Sequence, residues 1–226
     1  MRTILVVNSK GGCGKTTLAT NLAGYYAVRG KNVALADYDP QGSSMAWLEA
    51  RHASRPPITG VEAYANPLRV PSDTDYTIID SPAALHGRAL SELVRKADTI
   101  LMPVLPSPID VRAARNFISE INKLRKVVNA DVKLATVANR VRENTLAASD
   151  LDEYLDAIRL PSGKKLPYLA HLRASQNYIH AAGRGLSIFE FAPVKTLPDR
   201  EQWARIFRWI NQAGKAAAAP KVRKAS

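Results

Sequence analysis

The sequence predicts a single α/β domain with a mostly parallel, twisted sheet and helices on both of its faces. Short, nearly continuous apolar runs alternate with longer stretches of helical periodicity along most of the chain. Continuous apolar runs are typical of strands that are buried on both sides. With 226 residues, of which 46% are hydrophobic, the chain is long enough for one well-buried core.

Five apolar runs are predicted as strands: 4–8, 32–37, 76–80, 99–104 and 132–139. Helical spacing is found in 16–30, which ends at a glycine, and then in 89–97 and 111–129. Alternating strands and helices give a parallel sheet, because each helix returns the chain to the same end of the sheet. Residues 51–75 hold four prolines and are predicted to be irregular apart from one short strand.

The last predicted helix covers residues 199–212 and is amphipathic. Its apolar face consists of Trp203, Ile206, Phe207 and Ile210. Two interpretations are open: a final helix that packs on the sheet, or a helix that lies on a membrane surface. The domain is therefore expected to span 1–213. The alanine-rich, basic segment 214–226 is predicted to be a disordered tail.

The composition predicts a cytoplasmic protein. The apolar runs are much shorter than the roughly 18 residues that a membrane-spanning helix needs. The hydrophobic run at the start is too short for a signal peptide. Cys13 is the single cysteine, which excludes an internal disulfide framework and fits a reducing compartment.

The positive charge is concentrated in the second half of the chain. The whole sequence has 32 Lys and Arg against 20 Asp and Glu, a net charge of +12. Residues 1–110 carry 11 basic and 10 acidic groups, whereas 111–226 carry 21 and 10. A field of one sign on part of a molecule favours a polyanionic partner, with nucleic acid first and an anionic membrane second.

The stretch SKGGCGKTT (residues 9–17) is predicted to cradle phosphate groups. It follows an apolar strand and opens a helix, which is the context that a P-loop requires. Backbone N–H groups of its glycines can turn toward phosphate oxygens, with help from the helix N-terminus. Lys15 is predicted to reach the β- and γ-phosphates of ATP, and the Thr16 hydroxyl to bind Mg²⁺. The predicted nucleotide contacts in this loop are Lys10, Gly11, Gly12, Cys13, Gly14, Lys15, Thr16 and Thr17.

The loop departs from the ordinary P-loop pattern in two ways. Ser9 stands where that pattern has glycine, and Lys10 adds a second lysine. The stretch KGGCGKTT resembles the deviant Walker A motif of small ParA-like partition and positioning ATPases in the ParA/MinD superfamily. In that family the first lysine reaches the phosphates in the partner's site across a dimer interface. The resemblance implies that Lys10 makes dimerisation depend on ATP.

Two further motifs support the resemblance. ALADYDPQGSS (34–44) is similar to the family's D-x-D-P-Q-G segment, which implies that Asp39 positions the attacking water. Asp37 is interpreted as structural. YTIIDSPA (76–83) is similar to the Walker B strand, which implies that Asp80 helps to hold Mg²⁺. Carboxylates at the ends of parallel strands face the ligand crevice, as both roles require.

Weaker similarities lie later in the chain. The segment ANR (138–140) resembles the family's N-R segment beside the adenine, which implies a base-edge contact from Asn139 and stacking by Arg140. Residues 171–191 resemble a late family segment that ends in a G-x-S-[IV]-F-E turn. Cys13 is interpreted as a loop filler rather than a nucleophile.

Other activities of the superfamily match the residues of this sequence less well. An enzyme of the nitrogenase-reductase type needs two cysteines per subunit, and an arsenite pump needs two ATPase halves and a cysteine metal site, so neither is expected from a sequence with Cys13 alone. An ATP-dependent metabolic ligase is an alternative of a different class. A MinD-like membrane-surface ATPase is another, although the terminal stretch AAAAPKVRKAS has no apolar face to bind lipid.

The sequence therefore predicts a cytoplasmic, nucleoid-associated ATPase that forms a homodimer on binding ATP. The dimer is expected to bind double-stranded DNA without sequence specificity and to position a plasmid, a chromosome or a protein assembly. An adaptor protein and DNA are expected to stimulate hydrolysis to ADP and phosphate, and no stable membrane association is expected. The predicted DNA contacts are Arg173, Arg184, Arg205 and Arg208 in the domain and Lys215, Lys221, Arg223 and Lys224 in the tail.

Overall fold

The computed structural model describes residues 1–129, 131–160 and 162–212 and is built on a seven-stranded sheet. The strands are β1 (Arg2–Val6), β2 (Val33–Asp37), β3 (Thr59–Glu62), β4 (Tyr76–Asp80), β5 (Thr99–Val104), β6 (Lys133–Val141) and β7 (Tyr168–Arg173). Their order across the sheet is β3-β2-β4-β1-β5-β6-β7, and neighbouring strands pair in parallel. The predicted α/β class and parallel sheet are confirmed.

Helices cover both faces of the sheet. They are α1 (Lys15–Ala27), α2 (Ser43–Glu49), α3 (Gly87–Lys96), α4 (Pro108–Val128), α5 (Leu146–Ala157), α6 (Gln176–Ala182), α7 (Leu197–Gln202) and α8 (Ala204–Asn211). Helices α3, α4 and α5 bury their apolar residues against one face, and α1, α2 and α8 against the other. The sheet therefore lies between two apolar layers, as expected when strands are apolar on both sides.

The predicted C-terminal helix consists of two helices rather than one. At Trp203 the backbone N–H bonds to the carbonyl of Arg200, three residues back, and this tighter turn separates α7 from α8. The Trp203 ring is fully buried, and its Nε1 donates to the hydroxyl of Tyr178 at 2.9 Å. The predicted apolar face is buried throughout, so the interpretation as a helix that packs on the sheet is confirmed. None of the described helices is long and apolar enough to cross a bilayer.

The strand order brings several polar residues together at the carboxyl ends of the central strands. Strands β1, β4 and β2 are neighbours, and Val6, Asp80 and Asp37 lie opposite each other in register at their carboxyl ends. The glycine-rich loop follows β1, so it emerges at the same edge. The carboxyl edge of a parallel sheet is where this kind of fold binds ligands.

Candidate nucleotide-binding site

The glycine-rich loop turns from β1 into α1 through left-handed backbone conformations. Gly12 has φ +75° and Gly14, the N-cap of α1, has φ +92°, values that favour glycine. No described side chain caps the N-terminus of α1, so its first amides are available to an anion. A Cβ on Gly14 would lie 2.1 Å from Nδ2 of Asn139, so only glycine fits there.

The two lysines of the loop lie in different environments. Lys15 is only 7% exposed, and its Nζ folds back to donate to the carbonyl oxygen of Lys10 at 3.2 Å. The Lys10 side chain is exposed, while its backbone N–H donates to Oδ1 of Asn8 at 3.1 Å. Asn8 is in turn held by the carbonyl of Pro103, at 2.7 Å from its Nδ2. The main chain at Lys10 is therefore fixed from β5, and its ammonium group faces solvent.

Asp80, at the end of β4, is the centre of a buried polar cluster. The hydroxyl Oγ1 of Thr16 donates to Oδ2 of Asp80 at 2.7 Å, and Oγ of Ser44 donates to the same oxygen at 2.8 Å. The other oxygen, Oδ1, is buried and has no hydrogen-bond partner among the described residues. A hydroxyl that donates its proton keeps its lone pairs for a cation, so Thr16 and Asp80 both present oxygen ligands.

This donor set fits Mg²⁺, which prefers oxygen ligands and retains waters and phosphates in its shell. Burial raises the pKa of Asp80 to about 6, although hydrogen bonds from Thr16 and Ser44 favour the charged form. A bound cation would offset that cost. Among the described residues, no group of three or more His, Cys, Asp or Glu could hold a metal by itself. Thr16 and Asp80 would thus hold Mg²⁺ together with nucleotide phosphates, whose charge the ion neutralises.

The segment between β2 and α2 carries the other two aspartates. Asp37 is fully buried and accepts hydrogen bonds from the backbone N–H groups of Asp39, Ser44 and Met45. Burial still raises its pKa above the usual value, in spite of these donors. Asp39 is half-buried, and its Oδ1 accepts from the N–H of Gln41 at 3.0 Å. Asp37 therefore fixes the segment, and Asp39 is the more accessible carboxylate.

A β-bulge near the end of β6 places Asn139 and Arg140, the two residues predicted to contact adenine, in different environments. Between Ala138 and Val141 the pairing with β7 shifts by one residue, and Arg140 has φ +53°. Asn139 is buried and donates from Nδ2 to the carbonyl of Cys13 at 2.8 Å, whereas Arg140 is exposed. The side-chain amide of Asn139 therefore binds and supports the glycine-rich loop.

A cavity of about 690 Å³ opens beside the loop, at the carboxyl ends of β6 and β7. Its walls include Thr17, Asn139, Arg140, Arg142, Arg173 and Tyr178. A pocket of this size with apolar surface and a few polar groups can take a nucleoside. Thr17 and Arg140, both predicted from the sequence, lie together here. Sequence reasoning missed Arg142 and Tyr178 as wall residues, because neither belongs to the recognised motifs.

The turn formed by residues 185–190 is held against α1 and α2 by hydrogen bonds and a buried ion pair. Glu190 forms a buried ion pair with Arg51, at 2.6 Å, and also accepts from the N–H and hydroxyl of Ser187. Burial acts to raise the pKa of Glu190, but these donors hold it below the usual value. Asn21 of α1 accepts from the N–H of Ile188 at 2.8 Å. This segment is a structural support for the two helices beside the site.

The four arginines predicted as a DNA patch lie in different environments. Arg173 pairs with the buried Asp199, at 2.6 Å from its Nε, and lines the cavity described above. Arg184 is exposed above the ring of Phe191, with 5.2 Å to the centroid. Arg205 and Arg208 are exposed on α8.

Arg208 shares a second cavity, of about 460 Å³, with Arg29 and Arg200. Sequence reasoning missed the last two arginines, because no motif distinguishes them from other surface cations. Lys215, Lys221, Arg223 and Lys224 and the predicted disordered tail lie outside the described residues.

The profile of the CbiA family, described as the CobQ/CobB/MinD/ParA nucleotide-binding domain, matches residues 4–188. The chain belongs to this family. Together with the relatives named below, this match confirms the resemblance to the ParA/MinD superfamily of P-loop ATPases. Solved relatives hold ATP, or ADP with magnesium.

Two relatives that align over most of both chains are named maintenance of carboxysome distribution protein A. The protein from Halothiobacillus neapolitanus is 29% identical over 83% of this chain and 87% of its own length. That from Gloeobacter kilaueensis is 32% identical over 84% and 85%. Among solved structures, apo McdA of Cyanothece aligns over 92% of this chain and 98% of its own, with a TM-score of 0.69 and 17% identity. An ATP complex of a variant of that McdA gives a TM-score of 0.64 at 18% identity, over 92% and 96% of the two chains. At these identities, the structural likeness shows the shared fold.

Proposed function

We propose that this chain is an ATPase that dimerises on binding ATP and Mg²⁺, binds double-stranded DNA without sequence specificity, and positions a cargo. The observation that carries the proposal is the division of the loop lysines. Lys15 is buried and bent over its own loop, whereas Lys10 is exposed on a rigid main chain. A second cation that faces away from its own loop is suited to the phosphates of a second subunit.

The chemistry follows from the groups at the carboxyl edge of the sheet. Loop amides and Lys15 bind the phosphates, Thr16 and Asp80 hold Mg²⁺, and Asp39 positions the attacking water. Hydrolysis to ADP and phosphate removes the group that Lys10 of the second subunit would contact, so the dimer dissociates. An adaptor protein and DNA would set the rate of this step.

The exposed arginines of α8 support a polyanion as partner. Arg205 and Arg208 face solvent, while the apolar face of the same helix is buried in the domain and is unavailable to lipid. This favours DNA over the membrane-surface alternative and a nucleoid-associated, cytoplasmic location. Two relatives that align over more than four fifths of both chains are carboxysome distribution proteins by name, which favours a protein assembly as the cargo.

Light scattering with ATP and Mg²⁺ tests the dimer. We expect Lys15→Ala to lose nucleotide binding, because the phosphates lose their main point charge. Lys10→Ala should keep nucleotide binding and lose ATP-dependent dimerisation. Lys31→Ala is the control, since Lys31 is an exposed lysine that precedes β2 at the opposite edge of the sheet. A Lys10→Ala protein that still dimerises with ATP would contradict the proposed role.

Fluorescence anisotropy with two unrelated duplexes, in ATP and in ADP, tests DNA binding. The double variant Arg205→Ala, Arg208→Ala should bind both duplexes more weakly by the same factor, because phosphate contacts carry no sequence information. Arg88→Ala is the control, since that arginine is exposed on α3, on the other face of the sheet. Equal DNA affinity in ATP and in ADP would contradict the proposal. Co-sedimentation of the protein with vesicles of anionic lipid would then identify a membrane as the partner.

A further inference from the structure

Among the described residues, Ser44 is the one that donates hydrogen bonds to the carboxylates of both strand-end aspartates, Asp37 and Asp80. It is fully buried in the first turn of α2. Its backbone N–H donates to Oδ2 of Asp37 at 2.9 Å, and its hydroxyl donates to Oδ2 of Asp80 at 2.8 Å. Asp37 and Asp80 lie opposite each other on neighbouring strands, so two buried carboxylates are held side by side. Ser44 thereby ties each of them to α2.

The hydroxyl of Ser44 has no structural task within its own helix. Gly42 is the N-cap of α2, and the Ser44 backbone N–H, rather than its side chain, joins the helix to Asp37. The neighbouring Ser43 is exposed. The buried Ser44 hydroxyl instead donates to the carboxylate of Asp80, which also accepts a hydrogen bond from Thr16. Its contact is therefore with the candidate site and not with its own helix.

We propose that Ser44 is a positioning residue for Mg²⁺, an inference that rests on the proposed ATPase function. By holding Oδ2 of Asp80, its hydroxyl keeps the orphaned Oδ1 available to the ion or to a water bound to it. The same fixed carboxylate accepts a hydrogen bond from the Thr16 hydroxyl and so leaves the lone pairs of that hydroxyl for the metal. Ser44 acts on the ion through Asp80 and does not contact the nucleotide.

The alternative is that Ser44 serves only to satisfy buried groups. Ser44→Ala separates the two, because alanine keeps the N–H bond to Asp37 and removes only the bond to Asp80. Loss of a group that orients a metal ligand typically weakens metal affinity by about 10- to 100-fold. Loss of a merely structural bond would instead lower stability and weaken nucleotide binding with or without metal.

The test uses the full chain and a fluorescent ADP analogue. Its affinity is measured in EDTA and then across a Mg²⁺ titration, and unfolding by urea is followed in EDTA. We expect Ser44→Ala to bind the analogue as the wild type does in EDTA and to need at least about 10-fold more Mg²⁺ for half of the metal-dependent gain. Ser43→Ala, the matched control one position earlier, should have the wild-type Mg²⁺ requirement.

The results divide clearly. An unchanged Mg²⁺ requirement in Ser44→Ala would overturn the inference while leaving the proposed function intact. Equal losses of affinity in EDTA and in Mg²⁺ would do the same and would assign Ser44 to the fold. A wild-type protein that binds the ADP analogue under neither condition would overturn the proposed function, and the inference with it.

Discussion

Replacing Asp80 with asparagine should stabilise the folded protein while removing its use of magnesium. The side chain is 1% exposed, and one of its oxygens has no partner among the described residues. Asparagine has nearly the same shape, and its amide oxygen can accept hydrogen bonds from the hydroxyls of Thr16 and Ser44. Its NH2 group takes the place of the unpartnered Oδ1, at a smaller cost than that of the buried charge. The variant therefore removes a buried negative charge and leaves the packing in place.

The size of the effect follows from the pKa of Asp80. Burial is the main cause that raises this pKa from 3.8 to about 6. The folded state thus binds the proton more tightly than the unfolded state, so ionisation destabilises the fold as the pH rises from about 4 to about 6. At about 1.4 kcal/mol per unit, the free energy of unfolding loses about 3 kcal/mol by pH 8 and about half of that by pH 5.

Urea unfolding of both proteins in EDTA, at pH 5 and pH 8, measures this difference. We expect Asp80→Asn to exceed the wild type by at most about 3 kcal/mol at pH 8 and its advantage to be about 1.5 kcal/mol smaller at pH 5, because contributions from other groups are shared and cancel. In the presence of ADP, adding Mg²⁺ should then stabilise the wild type further and should add nothing to the variant. A variant that is less stable than the wild type at pH 8 would refute the argument that the charge of Asp80 is a cost to the fold.

Three other substitutions test the rest of the site. Asp39→Ala should bind ATP as tightly as the wild type and hydrolyse it about 10²–10⁴-fold more slowly in single-turnover assays; near-normal hydrolysis would assign the water to another residue. Glu190→Gln should lower the free energy of unfolding by about 3–5 kcal/mol, since it leaves Arg51 buried without its counter-ion. Because the pKa of Glu190 is held low, this deficit should shrink as the pH falls through that pKa, and a constant deficit would count against the ion pair. Gly14→Ala should abolish nucleotide binding in equilibrium titrations, because its Cβ would displace Asn139 from the loop; wild-type affinity would show that the loop can move aside.

The sheet could be predicted from the sequence because its strands are apolar on both faces. Runs such as TILMPV (99–104) have no polar interruption, and β4 and β5 have the predicted bounds. β7 was not predicted, since its sequence YLAHLR places half-buried polar residues at the edge of the sheet. The short helix α2 was missed for a similar reason, because only Ser44 and Trp47 of its seven residues are buried.

The placement of the glycine-rich loop and of Asp37 and Asp80 at the carboxyl ends of neighbouring strands could be predicted, because glycines and carboxylates have narrow local requirements. Tertiary contacts decided the rest. No local signal shows that Ser44 rather than Ser43 faces Asp80, or that a bulge turns Asn139 onto the loop. The charge count shows that the second half of the chain is basic, but it could not show that Arg173 forms an ion pair with Asp199.

Helix α2 connects the nucleotide-binding site to the late turn of the chain through buried contacts at both of its ends. At its start, Ser44 bonds Asp80. Toward its end, Nε1 of Trp47 donates to the carbonyl of Leu186, and the adjacent Arg51 pairs with Glu190. Breaking a buried ion pair by removing one partner costs about 3–5 kcal/mol, so the Arg51–Glu190 pair holds the turn firmly against the end of α2. Arg184 immediately precedes that turn, so this exposed cation lies beside the contacts that join the turn to α2.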